Sequence, residues 1–282
     1  MIKLFNAFSE LDVRNEQPQE KSDLEKVLAI EAEIIKQHEN DERFKQYSEN
    51  HLEAYKSLYI LTQEKLTDVT VTPKLLQRYI DARENTGENT QALIRGMYSA
   101  ALLEMISTKK PETFTIIEGK NKTFNYLFYC IHNVKNITIH NITGDWTLYN
   151  AGRNGSAINI TLTKIQGDYI LENAGSDNGS ATHITLNDIK GNWTLLNAGS
   201  NNGIASHITL TNITGDETLY DVGRNGSATN ILEEHQLNKK QKNILSQIQI
   251  IVENIHALSF EEQKRAHEQI TRLQKEIFAG DT

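Results

Sequence analysis

The most constraining feature of this chain is a pattern of about 24 residues that is written four times in succession over residues 144–231. The copies begin at Gly144, Gly167, Gly191 and Gly215, which lie 23, 24 and 24 residues apart. A unit of this length is too small to bury an apolar face alone and does so by stacking on its neighbours. The repeat therefore predicts a β-solenoid, resembling a parallel β-helix with one coil per copy.

Each copy contains two short segments in which apolar and polar residues alternate, as in strands with one buried face. The first segment follows the lead glycine and has a leucine at its centre, at Leu148, Leu171, Leu195 and Leu219. The second is an Ile-Thr-Leu run that begins at Ile160, Ile184 and Ile208. Asn and Gly residues, which favour turns, separate the two segments. We expect two strands per coil, both with their leucines and isoleucines facing inward.

Two stacking modes fit this pattern. In parallel coils, strands lie about 4.8 Å apart, and a structural ladder of side-chain amides forms along Asn150, Asn173, Asn197 and Asp221. In a chain of antiparallel hairpins, the two strands of one unit would pair with each other. Identical side chains at a fixed period favour the parallel coil. A degenerate first coil is also expected at residues 114–135, where aromatic residues replace the turn.

Composition narrows the classes of function. The 282 residues include 29 Lys and Arg against 37 Asp and Glu, a net charge of −8, without the basic clusters that bind nucleic acid. A basic protein partner fits this charge better. The single cysteine, Cys130, excludes an intrachain disulfide framework and is expected in the core. Neither a secretory signal nor a transmembrane run is visible, so we expect a cytoplasmic protein, or one translocated into a host cell without a cleaved signal peptide.

Helical periodicity precedes the repeat. Ser22 and Glu25 have the spacing of a capping box that begins a first helix, and Asp41 is expected to begin a second, with an apolar stripe that includes Phe44, Tyr47 and a core histidine, His51. Thr72 before Pro73 and Asn89 have the chemistry of two more helix starts. The sequence therefore predicts a helical bundle over residues 21–110, after a poorly ordered segment over residues 1–20.

Helical periodicity also follows the repeat. Residues 233–282 predict a helical hairpin, with a second capping box at Ser259 and Glu262. The hairpin either caps the last coil or returns to the bundle, or forms a short coiled coil that joins two copies in a homo-oligomer. The expected fold class is thus α+β and multi-domain, with the β-solenoid over residues 111–232 between the bundle and the hairpin.

Candidate chemistry must lie in rows of equivalent residues, because no phosphate loop, zinc-protease motif or nucleophile elbow is present. Asp145, Asp168, Asn192 and Asp216 each follow a lead glycine. Carboxylates stacked about 5 Å apart resemble the pair of a retaining glycosidase or a calcium ladder. Alternatively, each of these residues closes a turn.

Other rows are candidates for binding. Two imidazoles one coil apart could hold a metal, but no carboxylate or cysteine stands beside them at ligand spacing, so we expect a solvated histidine row and no metal. The row Trp146, Tyr169 and Trp193 could stack on sugar rings or fill a coil corner. The candidate binding residues are Tyr149, Arg153, Tyr220, Arg224, His183 and His207.

Two functions are compatible with these patterns. The first is a non-enzymatic scaffold, without a cofactor, that presents a rigid solenoid surface to a protein partner. The alternative is a carbohydrate-active β-helix enzyme, a lyase or glycoside hydrolase, that uses Asp145 and Asp168. An enzyme requires a place where the repeat pattern is interrupted by a cluster of acids, bases or ligands. No such interruption is visible in the sequence, so the binding function is favoured.

The C-terminal segment from Glu261 through Glu276 is rich in glutamate. This segment is similar to the loose translocation signals of effector proteins of intracellular bacteria, and the multi-module organisation of the chain resembles theirs. The resemblance implies a bacterial protein that acts inside a host cell.

Overall fold

A computed structural model describes residues 18–45, 50–87, 89–233, 237, 239–255 and 258–278. The helices are α1 Pro18–His38, α2 His51–Lys65, α3 Pro73–Ala82, α4 Thr90–Lys109, α5 Lys239–Ile255 and α6 Phe260–Phe278. The strands are β1 Thr115–Thr123, β2 Asn133–Thr143, β3 Ser156–Gln166, β4 Ser180–Lys190, β5 Ile204–Thr214 and β6 Ser227–Glu233. Of the segment expected to be poorly ordered, residues 1–17 lie outside the described residues. Within the described ranges, no helix has the length and apolar character needed to cross a membrane.

The six strands form one parallel sheet in the order β1 to β6, so each coil pairs with the next along the chain. Equivalent residues pair in strict register, as Ile160, Ile184, Ile208 and Ile231 do. The parallel stacking predicted from the repeat is confirmed, and the antiparallel alternative is not adopted. The degenerate first coil is also confirmed, because β1 pairs with β2 in the same parallel sense.

The long strands bend where single residues take the left-handed conformation. In β3 these residues are Asn159 and Lys164, with φ of 57° and 54°, and in β4 they are His183 and Asp188, with φ of 57° and 54°. A left-handed residue interrupts the extended backbone and redirects the chain. Each of these strands therefore changes direction twice, and the isoleucine after each bend, such as Ile160 or Ile165, lies in the core.

The first segment of each copy is not a strand, so that prediction was wrong. Trp146, Leu148 and Asn150 have φ of 57°, 56° and 59° and alternate with residues of negative φ. The result is a ribbon of consecutive turns, in which the Tyr149 amide donates to the Trp146 carbonyl at 3.3 Å. The inward placement of the leucines is confirmed, since Leu148 is fully buried. The sequence suggested a strand because apolar and polar residues alternate there, but burial does not alternate, since the adjacent Thr147 and Leu148 are both fully buried.

The turn ribbons of adjacent coils bond one another through the backbone. The Leu148 amide donates to the carbonyl of Leu127 in the preceding coil, and the Asn150 amide donates to that of Glu172 in the following coil, both at 2.8 Å. The lead glycines permit this close stacking. A Cβ atom on Gly191 would lie 1.7 Å from the Gly167 carbonyl oxygen, far inside the van der Waals distance.

Helices α1 to α4 pack onto the first coil, and their buried side chains join those of the solenoid in one continuous cluster. The caps predicted at Thr72 and Asn89 are confirmed, since their side chains accept the amides of Leu75 at 3.2 Å and Ala92 at 3.0 Å. The burial predicted for His51 and Cys130 is also confirmed.

Two helix starts differ from the prediction. Helix α1 begins at Pro18, so Ser22 lies inside the helix rather than at its cap. Asp41 caps a short 3-10 turn, Glu42–Phe44, and α2 begins only at His51. Phe44 therefore belongs to the 3-10 turn rather than to α2, and it is buried there. Tyr47 lies outside the described residues. The cap chemistry of Asp41 serves a single 3-10 turn as well as it serves a helix.

Side chains from the helices bond the free backbone edge of the first coil. The Gln77 side chain accepts a hydrogen bond from the Glu118 amide at 2.8 Å. Ser99 accepts one from the Phe128 amide at 3.1 Å, and the Glu104 carboxylate accepts one from the His132 amide at 3.0 Å. The Asn85 carbonyl accepts the Asn125 amide at 2.7 Å. Backbone donors that would otherwise lack a preceding coil are thereby satisfied.

Helices α5 and α6 pack against each other around a second, separate apolar cluster. Their contacts with the solenoid run along the outer strand face, where Gln274 donates to the hydroxyls of Thr161 and Thr185 at 3.1 Å and the Lys164 ammonium pairs with Glu253 at 3.0 Å. The capping box at Ser259 is confirmed, with its amide donating to Glu262 at 2.9 Å. The helix pair thus covers a side of the solenoid rather than its end, and the predicted domain boundaries and coiled-coil role remain predictions.

The close approach of coils gives a direct test of the stacking. We expect Gly191→Ala to reduce the free energy of unfolding by about 3 kcal/mol or more, because the backbone of the neighbouring coil cannot yield to the added methyl group. Gly87→Ala is the matched control, since a Cβ atom there would meet its nearest atoms at 3.6 Å. Urea denaturation of both variants measures the difference, and equal midpoints would contradict the stacking.

Candidate functional site

The predicted acid row is a ladder of side-chain-to-backbone hydrogen bonds. Asp145 accepts the Asp168 amide at 2.8 Å, Asp168 accepts the Asn192 amide at 2.7 Å, and Asn192 accepts the Asp216 amide at 2.8 Å. Asn125 begins the ladder in the first coil by accepting the Asp145 amide at 3.1 Å. Each side chain in the row therefore ties its coil to the next one, and an amide oxygen does this as well as a carboxylate oxygen.

The Asn150 row has a different role from the amide ladder that was expected. Asn150, Asn173, Asn197 and Asp221 all have positive φ, between 54° and 59°. Asparagine and aspartate tolerate this conformation better than other residues with a Cβ atom. The Asn150 amide donates to the sulfur of Cys130 at 3.4 Å, while its Oδ1 atom is buried without a partner, so no amide-to-amide chain passes through Asn150. Burial also raises the pKa of the Cys130 thiol to about 12.

The aromatic row is a continuous ring stack. Tyr126, Trp146, Tyr169 and Trp193 have successive ring centroids 4.6, 5.4 and 4.6 Å apart and nearly parallel planes. Both faces of Trp146 and Tyr169 are therefore covered by neighbouring rings. A sugar that stacks on an aromatic side chain needs a free ring face. The row presents ring edges and fills a corner of the coil.

The two candidate histidines, which were predicted to form a solvated row, are half-buried beside α6. The rings of His183 and His207 stack at 4.8 Å, and Phe278 contacts His207 edge-on at 5.0 Å. Burial lowers the pKa of His183, and the neighbouring His207 and Lys275 lower it further. Within the described residues, no group of three or more His, Cys, Asp and Glu side chains could hold a metal ion.

The remaining candidates lie on the turn ribbon. Tyr149 stacks on Tyr129 with ring centroids 5.0 Å apart. Arg153 donates to the Asp177 carboxylate at 2.6 Å, and Arg224 donates to Asp221 at 2.7 Å. Arg153 thus bridges two coils, whereas Arg224 pairs within the last coil.

Glu172 is a titratable group that the sequence analysis did not single out. It occupies the position that Tyr149, Leu196 and Tyr220 fill in the other copies. Its side chain is buried, its Oε2 atom has no hydrogen-bond partner, and burial raises the pKa of the carboxyl to about 7. The signal that could have identified it is a carboxylate in a row of otherwise large, mostly aromatic residues.

The last coil, residues 215–233, forms the open end of the solenoid. The amides of Trp193 and Asn197 donate to carbonyls of this coil at 2.9 and 3.0 Å, and the Gly191 amide donates to Thr214, just before the coil, at 2.9 Å. The equivalent amides of the last coil belong to Gly215, Glu217 and Asp221, and among the described residues no further coil follows to accept them. Tyr220 is 56% exposed there, and most of β6 is exposed as well.

The open end also contains a cavity and several acidic side chains. A cavity of about 560 Å³ opens between the coil interior and α5, lined by Leu210, Asn212, Ile213, Gly215, Thr218, Glu233 and Lys242. Four acidic side chains belong to this coil, namely Asp216, Glu217, Asp221 and Glu233. Glu217 replaces the aromatic residue of earlier copies, and Asp221 replaces their asparagine. The repeat therefore changes character where it ends.

Comparisons with known protein families, with curated proteins and with solved structures find no match to this chain.

The ladder role of Asp168 can be tested with two substitutions at one site. We expect Asp168→Asn to change the free energy of unfolding by less than about 0.5 kcal/mol, since an acceptor oxygen is retained. Asp168→Ala should lower it by about 1–3 kcal/mol, because the Asn192 amide loses its partner. Guanidinium denaturation measures both variants. Equal losses in the two variants would show that the charge of Asp168, rather than the hydrogen bond, stabilises the coil.

Glu172 should make stability depend on pH. Its pKa is about 7 in the folded protein, above the ordinary value of 4.5, so the folded state favours the protonated form. The stabilisation is complete below about pH 4.5 and is lost as pH rises through 7, by at most roughly 3 kcal/mol. We expect Glu172→Gln to remove this contribution to the loss of stability between pH 5 and pH 8. Identical pH profiles of unfolding for the variant and the wild-type protein would refute the assignment.

Proposed function

We propose that this chain is a non-enzymatic binding protein whose rigid solenoid presents its open end to a protein partner. The partner contributes an extended, basic segment that adds to the last coil as a further parallel or antiparallel strand. The observation that carries the proposal is the unextended backbone edge of the last coil, at Gly215, Glu217 and Asp221. Strand addition to an exposed sheet edge is a recurrent mode of peptide recognition.

The two ends of the solenoid differ, and this difference supports the proposal. At the first coil, Gln77, Ser99 and Glu104 accept backbone amides that have no preceding coil. Among the described residues, no comparable side-chain acceptor serves Gly215 or Glu217 at the last coil. An unpaired edge is a template for another chain, and proteins usually protect such an edge. Here the edge is left to the solvent beside an exposed Tyr220, a residue type that is frequent in interfaces.

Charge identifies the kind of partner. The acidic residues Glu217 and Asp221 lie at the edge, where Arg224 pairs with Asp221. Two open ends facing each other would bring these like charges together, which is unfavourable between adjacent strands. A Lys- or Arg-containing segment from another protein is favoured over a second copy of this chain.

The other modules have supporting roles in this proposal. The N-terminal helices close the first coil, and α5 and α6 hold the strand face, so the solenoid is flanked by a bundle and a hairpin and stays rigid. The carbohydrate-enzyme alternative gains no support, because one carboxylate oxygen of Asp145 and one of Asp168 each accept a backbone amide of the next coil. The similarity of residues 261–276 to a translocation signal, and with it a bacterial effector role, stays a prediction.

The test is selection of peptides from a random eight-residue library displayed on phage, with the wild-type protein as bait. We expect the selected peptides to combine β-branched residues with Lys or Arg and to bind the open end. The double charge reversal Glu217→Lys, Asp221→Lys should weaken their binding at least tenfold in fluorescence anisotropy. Methylation of alternate peptide amides should abolish it, since the strand hydrogen bonds are lost.

The control for charge is Glu112→Lys, because Glu112 is exposed and lies outside the last coil. This variant should bind the selected peptides as the wild-type protein does. The proposal is wrong if the library yields no binding peptide, or if the double reversal leaves affinity unchanged while circular dichroism shows a folded protein.

A further inference from the structure

A second, smaller cavity lies between α5 and the outer strand face. Its volume is about 150 Å³, and its lining includes polar side chains from three strands, Thr163, Thr185, Asn187 and Thr211. Helix α5 contributes Lys242, Ser246 and Gln249, together with the buried apolar side chains of Leu245 and Ile248. Among the described residues, no carboxylate lines this cavity. Its polar groups require hydrogen-bond partners, which either water or a polar ligand supplies.

Two lining groups have no hydrogen-bond partner among the described residues. The Nδ2 atom of Asn187 and the Oγ1 atom of Thr211 are both buried and unpaired. Leaving such a group unsatisfied costs about 1–3 kcal/mol, so each one calls for an explanation. An amide NH2 only donates, and a threonine hydroxyl can donate as well. The missing partner must therefore be a hydrogen-bond acceptor.

The positive charge beside the cavity also favours a hydrogen-bond acceptor. Helix α5 begins with Lys239 and Lys240, Lys242 follows within the first turn, and no acidic residue lies in that turn. The start of a helix carries the positive end of its dipole, where cations are unfavourable and anions are stabilised. Lys242 makes no ion pair with the described residues and lines the cavity. A bound anion would offset both the dipole and the lysine charges.

We propose that the cavity under α5 binds a small oxyanion, that is, a phosphate or carboxylate group. Asn187 and Thr211 donate hydrogen bonds to its oxygens from the strand face, and the Lys242 ammonium neutralises its charge from the helix. The buried Thr163 and Thr185, which are 2% and 3% exposed, form the floor of the site. Water accepts the same hydrogen bonds but carries no charge to offset that of Lys242, which makes no ion pair with the described residues. An anion is therefore favoured.

The probe is inorganic phosphate, with malonate as a carboxylate and chloride as the control for ionic strength. We expect phosphate, malonate or both to raise the melting temperature in a saturable way, with binding heat in isothermal titration calorimetry. Chloride at matched ionic strength should do neither. A response to phosphate alone or to malonate alone identifies which group the site takes.

Variants show whether the response arises in this cavity. Lys242→Gln should weaken anion binding at least fivefold, and Asn187→Asp should abolish it, because a carboxylate of the same size repels the anion. The matched control is Lys190→Gln, an exposed lysine on the same strand as Asn187 but outside the cavity. This control should bind as the wild-type protein does.

Three results would overturn the proposal. The first is an equal response to chloride and to the oxyanions, which would show screening of charge alone. The second is the absence of binding heat, which would show that water fills the cavity. The third is unchanged affinity in folded Lys242→Gln protein, which stays informative if Asn187→Asp fails to fold. Peptide binding at the open end does not depend on any of these results, so the two proposals can fail separately.

Discussion

The structure depends on hydrogen bonds between coils that stack in register. Turn hydrogen bonds satisfy some backbone groups within each coil. The strand amides and carbonyls depend on the coil before and the coil after, so no coil is a complete unit. This requirement explains the lead glycines, since Gly167 and Gly191 approach too closely for a side chain on either one. It also makes the two ends the places where the repeat cannot satisfy itself. The N-terminal helices resolve one end with Gln77, Ser99 and Glu104.

Stacking also decides which side chains remain available for function. In a register-matched solenoid, each row of equivalent residues contacts itself, so rings cover rings and oxygens accept neighbouring amides. The ring faces of Trp146 and Tyr169 are covered in this way, and Asp145 and Asp168 each accept a backbone amide with one oxygen. Residues in the middle of a row therefore contribute to stability, whatever their chemistry suggests in isolation. Available groups are expected where a row ends, as at Tyr220, or where another element meets the strand face.

The sequence predicted the elements whose signal is local or periodic. The repeat period gave the parallel stacking and the inward leucines such as Leu195, and side-chain chemistry gave the helix caps at Thr72 and Asn89. The turn ribbon was missed because its apolar and polar residues alternate in the sequence as they do in a strand, although Thr147 and Leu148 are both buried. The position of α5 and α6 was missed for another reason. Thr161 and Thr185 look like solvent-facing residues of a strand, and nothing local shows that Gln274 contacts them.

The nature of that helix contact explains why unpaired polar groups gather there. Helices α5 and α6 bury most of their apolar side chains against each other, in a cluster separate from that of the solenoid. The strand face offers hydroxyls and amides, so the two surfaces meet largely through individual contacts, some polar, such as Lys164 with Glu253, and some between rings, such as His207 with Phe278. Gaps then remain wherever a polar group such as Asn187 has no counterpart on the helix. A gap lined by donors next to lysines differs from a packing defect in an apolar core, because its chemistry selects what can fill it.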